Sequence, residues 1–149
     1  MSTTLLLTSV ALLAAADAPN QDAKKELQKF QGTWVLVTGE KDGEKLKDED
    51  VRQSKMTWEE ARVTLRTPHQ SKDAIRADVT LDPSKTPRQM DWVRRTEPGK
   101  GQTMHAIYEF VDDDQYRICF APPGKDRPGE FATRSGTGHI LHVWKRLKK

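Results

Sequence analysis

Residues 103–120, TMHAIYEFVDDDQYRICF, carry the pattern that decides the fold. Apolar side chains recur at every second position on both sides of a run of aspartates, at Met104, Ala106, Tyr108, Phe110, Tyr116, Ile118 and Phe120. A period of two is the pattern of a strand with one buried face. The consecutive carboxylates at 112–114 are typical of a solvated turn. The segment therefore predicts an antiparallel β-hairpin.

The same alternation recurs on both sides of this hairpin. Further runs lie at Trp34/Leu36, Met56/Trp58, Val63/Leu65, Ile75/Ala77/Val79/Leu81, Met90/Trp92 and Leu141/Val143. Together with the hairpin they make eight short strands. All of the prolines from Pro68 onward fall between the runs, where no ladder hydrogen bond is lost. The pattern predicts an all-β, mainly antiparallel fold. An eight-stranded up-and-down barrel is favoured over a sandwich.

Two short helices are predicted outside these strands. Residues 22–31 place Leu27 and Phe30 on one face and are followed by Gly32, a frequent helix stop. This N-terminal helix precedes the first strand and is expected to plug one end of the barrel. A second helical turn is expected at residues 47–52, where three acidic residues suit a helix N-terminus.

The N-terminus has the pattern of a secretory signal peptide. Residues 5–16 carry no charge, and the segment ends in the small residues Ala14, Ala15 and Ala16. The apolar stretch is shorter than the roughly 20 residues that span a bilayer, so we expect no integral membrane span. Residues 1–16 are predicted to be the signal peptide, with cleavage after residue 18 as the alternative. Residues 17–149 would form a single periplasmic or extracellular domain.

Composition argues against several classes of function. The chain has 149 residues and a net charge of +3, from 25 basic and 22 acidic residues that are well mixed. This small excess does not indicate a surface for nucleic acid. His69, His105, His139 and His142 lack a pattern that would place them together as metal ligands. Cys119 is the only cysteine and has apolar neighbours, so we interpret it as a buried residue.

Several stretches resemble a family of small exported domains that is expanded in planctomycete bacteria. They are LQKFQGTW at 27–34, LDPSKTP at 81–87, IYE at 107–109, ICFAPPGKDRP at 118–128, Gly138-His139 and Trp144-Lys145-Arg146. The resemblance implies export and the fold. It implies no activity and transfers no site residue.

More remotely, Gly32-Thr33-Trp34 is similar to the Gly-x-Trp signature of lipocalins, whose Trp closes the barrel floor. The barrel is therefore expected to be lipocalin-like. The first and last strands of a closed meander are neighbours, so Lys145 or Arg146 should lie within about 6 Å of the Trp34 ring.

Large side chains at alternating positions indicate a candidate ligand site inside the barrel. It comprises Trp34, Met56, Trp58, Val79, Met90, Trp92 and Tyr108. A barrel of eight strands holds either packed side chains or one small ligand. We expect a small, largely apolar ligand, although the same residues could simply fill the interior.

Residues 121–134 form the second candidate site. This long Pro/Gly loop carries Lys125, Arg127, Phe131 and Arg134, and long loops often serve as lids or contact surfaces. It could instead be a rigid connection. The alternative function is therefore an interaction module with a filled barrel, which contacts an envelope protein or polymer. No nucleophile elbow, acid/base pair or cofactor motif is visible, so we predict a non-enzymatic protein without a cofactor.

Overall fold

The structure, a computed structural model, describes residues 18–69 and 73–148. The predicted signal peptide, residues 1–16, lies outside this range. The helices are α1 (Ala18–Phe30) and α2 (Asp48–Gln53). The strands are β1 (Gly32–Lys41), β2 (Glu44–Lys45), β3 (Lys55–Glu59), β4 (Arg62–Arg66), β5 (Ile75–Asp82), β6 (Arg88–Arg94), β7 (Thr103–Asp112), β8 (Gln115–Phe120) and β9 (Ile140–Arg146). No helix of the described residues is long and apolar enough to span a membrane.

Eight antiparallel strands form a closed barrel. β1 pairs with β3, each later strand pairs with the next, and β9 pairs back onto β1, where Trp34 lies opposite Arg146 and Leu36 opposite Trp144. Closure leaves no free edge along these strands. The predicted barrel with a helix before it is confirmed, including the pairing of its first and last strands. The prolines from Pro68 onward lie between the strands, as expected.

A bulge in β1 changes which side chains face the interior. Trp34 and Leu36 are buried, Val37 is 43% exposed, and Gly39 is buried again. The extra residue at the bulge shifts the alternation by one position. Because Gly39 has no side chain, the Leu46 side chain occupies the adjoining space at this end of the barrel.

Helix α1 closes the other end of the barrel. The backbone leaves the helix through Gly32, whose φ of +105° suits a residue without a Cβ. Arg146 fixes the helix end by donating hydrogen bonds of 2.6 Å to the carbonyl oxygens of Lys29 and Gln31. Its guanidinium carbon lies 4.3 Å from the Trp34 ring centroid. The predicted cation over Trp34 is therefore confirmed.

Smaller features differ from the sequence predictions. Helix α1 begins at Ala18, before the predicted residue 22, and α2 spans Asp48–Gln53 where residues 47–52 were predicted. The two-residue strand β2 was not predicted, because it is too short to show an alternation.

The inward face of β9 also differs from the prediction, since the sequence pattern indicates Leu141 and Val143 as its apolar face. In the structure the opposite face, which carries Trp144, lines the interior.

Candidate functional site

The end of the barrel next to α1 is filled by its own aromatic side chains. Phe30 stacks on Trp58 with ring centroids 4.5 Å apart, and Trp34 meets Tyr116 edge-on at 4.7 Å. Their polar atoms are paired: Trp34 Nε1 donates to the Phe30 carbonyl at 2.6 Å, and Trp58 Nε1 donates to the Tyr116 hydroxyl at 3.3 Å. Close packing and paired polar atoms make this half of the interior a structural core.

A buried carboxylate joins α1 to this core. Glu26 is 5% exposed and accepts a hydrogen bond of 3.3 Å from the Tyr108 hydroxyl. It also pairs with Lys29 at 3.0 Å and with Arg88 of β6 at 3.1 Å. Burial and the neighbouring Glu26 carboxylate raise the pKa of Tyr108, so its hydroxyl remains a donor. These contacts orient the plugging helix.

The opposite half of the barrel contains a cavity of about 380 Å³. It lies where β1, β4, β6 and β8 end and where β3, β5, β7 and β9 begin. Most of its lining side chains are apolar. They are Leu36, Leu46, Met56, Leu65, Pro68, Ile75, Ala77, Trp92, Met104, Phe120, Ile140 and Trp144. The cavity volume lies within the range of small-molecule sites, about 300–1,000 Å³.

The mouth of the cavity is polar. Lys41, Asp50, His69 and Arg94 contribute to its lining. His69 Nε2 lies 2.6 Å from Asp50 Oδ1, so the segment after β4 contacts helix α2 beside the mouth. Arg94 is held by a hydrogen bond of 3.1 Å from its Nε to the Thr96 carbonyl. An apolar interior with a charged rim suits a molecule that enters by its apolar end.

His142 and Trp144 carry unpaired polar atoms in the wall of the cavity. Both residues line it, and their rings meet edge-on with centroids 5.6 Å apart. Within the part of the chain that the structure describes, His142 Nδ1 and Trp144 Nε1 are buried without a hydrogen-bond partner. Unpaired buried polar atoms are costly and mark a site that needs an explanation. Burial lowers the pKa of His142 to about 4, so this imidazole is neutral near pH 7.

This histidine, whose Nδ1 is buried, predicts a loss of stability in acid. In the unfolded chain it takes up a proton at about pH 6.5, whereas in the folded chain it does so only near pH 4. Lowering the pH through that window therefore favours the unfolded state. We expect His142→Gln to remove about 1–3 kcal/mol of the stability lost between about pH 7 and about pH 4.5.

Urea unfolding at the two pH values measures this difference. His139→Gln serves as the control, because its imidazole lies in the loop before β9 and does not line the cavity. If His142→Gln and the parent protein lose equal stability over this window, His142 is not a buried neutral histidine.

The structure divides the predicted ligand residues between the two halves of the barrel. Met56 and Trp92 line the cavity. Trp34, Trp58, Val79, Met90 and Tyr108 are buried, but they do not line it. Trp92 Nε1 donates to Met90 Sδ at 2.9 Å, which fixes the indole in the cavity wall. Alternation identified these residues as buried, whereas their position along the barrel axis decides which half they occupy.

Several cavity residues were missed by the sequence prediction. Met104 lies in the predicted strand whose larger Tyr108 is the predicted ligand residue, and the predicted set includes no residue from the strand that carries Leu65. The sequence pattern does not identify Ile140, His142 and Trp144, because it indicates the apolar pair Leu141/Val143 as the inner face of the last strand. Pairing of Trp144 with both Tyr116 and Leu36 sets the actual face.

The loop at residues 121–134 lies against the outside of the barrel. Arg127 donates to the carbonyl oxygens of Met90 and Ala106 at 3.0 and 2.7 Å, and to Asp91 Oδ1 at 2.7 Å. Partial burial raises the pKa of Asp91. Its hydrogen bonds with His105 and Arg127 lower the pKa by a larger amount, so the net pKa is below the usual value. This carboxylate stays charged and holds Arg127.

The other predicted loop residues differ in their contacts. Phe131 lies under the Arg117 guanidinium, at 4.1 Å from ring centroid to guanidinium carbon, and Arg134 pairs with Glu130 at 2.7 Å. Lys125 is exposed. The loop covers Cys119, whose Sγ donates to the Ala132 carbonyl at 3.6 Å. These contacts fit a rigid cover over the outer face of the strands.

No protein-family model matches the chain, and comparison with curated proteins and with solved structures gives no match either. Within the described residues, no three His, Cys, Asp or Glu side chains come together as a candidate metal site. The cavity at the open end is therefore the candidate functional site with the strongest geometric support.

Proposed function

We propose that this protein is an exported, non-enzymatic β-barrel that binds a small, largely apolar molecule in the open half of its interior. The observation that carries the proposal is the cavity of about 380 Å³ with its mainly apolar lining. A barrel filled by its own side chains would leave no such space. Export rests on the uncharged segment at residues 5–16 and its small-residue end.

The contacts of the loop at residues 121–134 support this function over the interaction module. Arg127 and Phe131 already contact other groups of the protein. Freeing them for a partner would cost those contacts. The cavity, in contrast, is lined by apolar surface that gains from burial against a ligand.

Ligand binding is expected to change tryptophan fluorescence. Trp92 and Trp144 line the cavity, so an occupant within it contacts their indole rings. Titration of the purified protein with a panel of fatty acids, isoprenoids and aromatic dyes should quench the emission saturably for at least one class. A panel without a saturable binder would contradict the proposal.

Filling the cavity provides the matched test. Ala77 is 1% exposed and lines the cavity, so Ala77→Phe places a ring in the proposed binding space. We expect affinity for the bound class to fall tenfold or more, about 1.4 kcal/mol. Thr80→Phe is the control, because Thr80 lies on the exposed face of the same strand. Equal affinity in both variants would place the ligand elsewhere.

A further inference from the structure

We propose that the occupant of the cavity is a small amphipathic anion, with its acidic group at the mouth near Lys41 and Arg94. The inference rests on the proposed function and specifies the chemical class of the ligand. A small ligand is indicated because the cavity volume of about 380 Å³ lies near the lower end of small-molecule sites, about 300–1,000 Å³.

The charges around the mouth have an excess of cations. Among the charged residues that line the cavity, Asp50 already pairs with His69 at 2.6 Å. Within residues 18–69 and 73–148, neither Lys41 nor Arg94 forms an ion pair. Even with a neutral His69, two cations face one carboxylate. A ligand with an acidic group supplies the missing negative charge.

The two cations approach the mouth from different sides. Lys41 is the last residue of β1 and is exposed, whereas Arg94 is the last residue of β6. β3, β4 and β5 lie between these two strands in the sheet. The Arg94 side chain is held in place through its Nε, which donates to the Thr96 carbonyl at 3.1 Å. Cationic groups therefore lie on two sides of the mouth.

The interior dictates the orientation of such a ligand. Met56 is 0% exposed, Ala77 1% and Phe120 4%, and all three line the cavity with apolar atoms. An ionised group placed among them would lose its hydration without a compensating partner, which is strongly unfavourable. The acidic group therefore stays at the mouth while the apolar chain fills the interior.

Three ligands that share one chain and differ in their head group test the inference. Decanoate, 1-decanol and decylamine are titrated by tryptophan fluorescence at neutral pH. We expect decanoate to bind about tenfold more tightly than the alcohol, from hydrogen bonds and charge at the rim, and decylamine to bind most weakly. Added salt should reduce the advantage of decanoate, because charges at the mouth are screened.

Variants of the mouth locate the effect. Lys41→Gln and Arg94→Gln should each weaken decanoate binding severalfold and leave decanol within about twofold. Lys45→Gln is the matched control, because Lys45 lies in β2 and does not line the cavity. Equal affinities for the three ligands, or tightest binding of decylamine, would overturn the anionic class while the binding function stands. Absence of saturable binding by all three, together with a silent wider panel, would overturn both.

Discussion

Replacement of Phe30 by alanine is expected to lower the free energy of unfolding by about 3–5 kcal/mol. Phe30 is the last residue of α1, is fully buried and contacts four aromatic rings at the closed end of the barrel. Its ring centroid lies 4.7 Å from that of Phe110 and 4.9 Å from that of Tyr116. Deleting the ring removes these contacts and leaves a cavity that rigid strands cannot fill.

Equilibrium urea unfolding measures this effect. Lys24→Ala is the control, since Lys24 is exposed on the same helix and should change stability by no more than about 0.5 kcal/mol. Near-UV circular dichroism of Phe30→Ala should also weaken, because the aromatic cluster loses its packing. A loss below about 1 kcal/mol would show that α1 is not an integral part of the core.

The positions of the strands could be predicted because the alternation of apolar and polar residues within each strand shows which of its faces is buried. Alternation marks a half-buried strand wherever it lies, and turn residues separate one run from the next. Closure was favoured over a sandwich, because eight strands can enclose an interior that side chains or one small ligand fill, and the pairing of β1 with β9 confirms it. Arg146 over Trp34 was predictable from that closure.

The cavity could be predicted only in part. Alternation shows that Trp58 and Trp92 point inward, but it does not show that Trp58 packs beside Phe30 while Trp92 lines an open space. That distinction depends on the position of each residue along the barrel axis and on the small side chain of Ala77. His142 was missed because a polar residue between two apolar ones is typical of an outward position.

The loop at residues 121–134 shows a different limit. Its prolines and charges are equally typical of a contact surface and of a rigid connection. Only the structure shows that the Arg127 side chain, 22% exposed, reaches across β6 and β7. Two of its partners are backbone carbonyl oxygens, which every residue carries, so no sequence pattern identifies them.

Arg127→Ala is expected to release this loop and expose Cys119. The substitution removes hydrogen bonds to two carbonyl oxygens and one carboxylate, a loss of about 2–4 kcal/mol. Because Cys119 is buried beneath the loop, the rate of its alkylation follows the free energy of local opening. A loss of about 2 kcal/mol raises the rate of Cys119 alkylation about 30-fold.

Alkylation by a maleimide reagent at neutral pH measures the change, with the urea-unfolded chain as the reference rate. Arg134→Ala should have little effect, since Arg134 and its partner Glu130 are 72% and 62% exposed and such pairs contribute little. An unchanged rate of Cys119 alkylation in Arg127→Ala would show that Arg127 does not hold the loop. The Arg127 guanidinium of the parent protein would then be free to contact a partner.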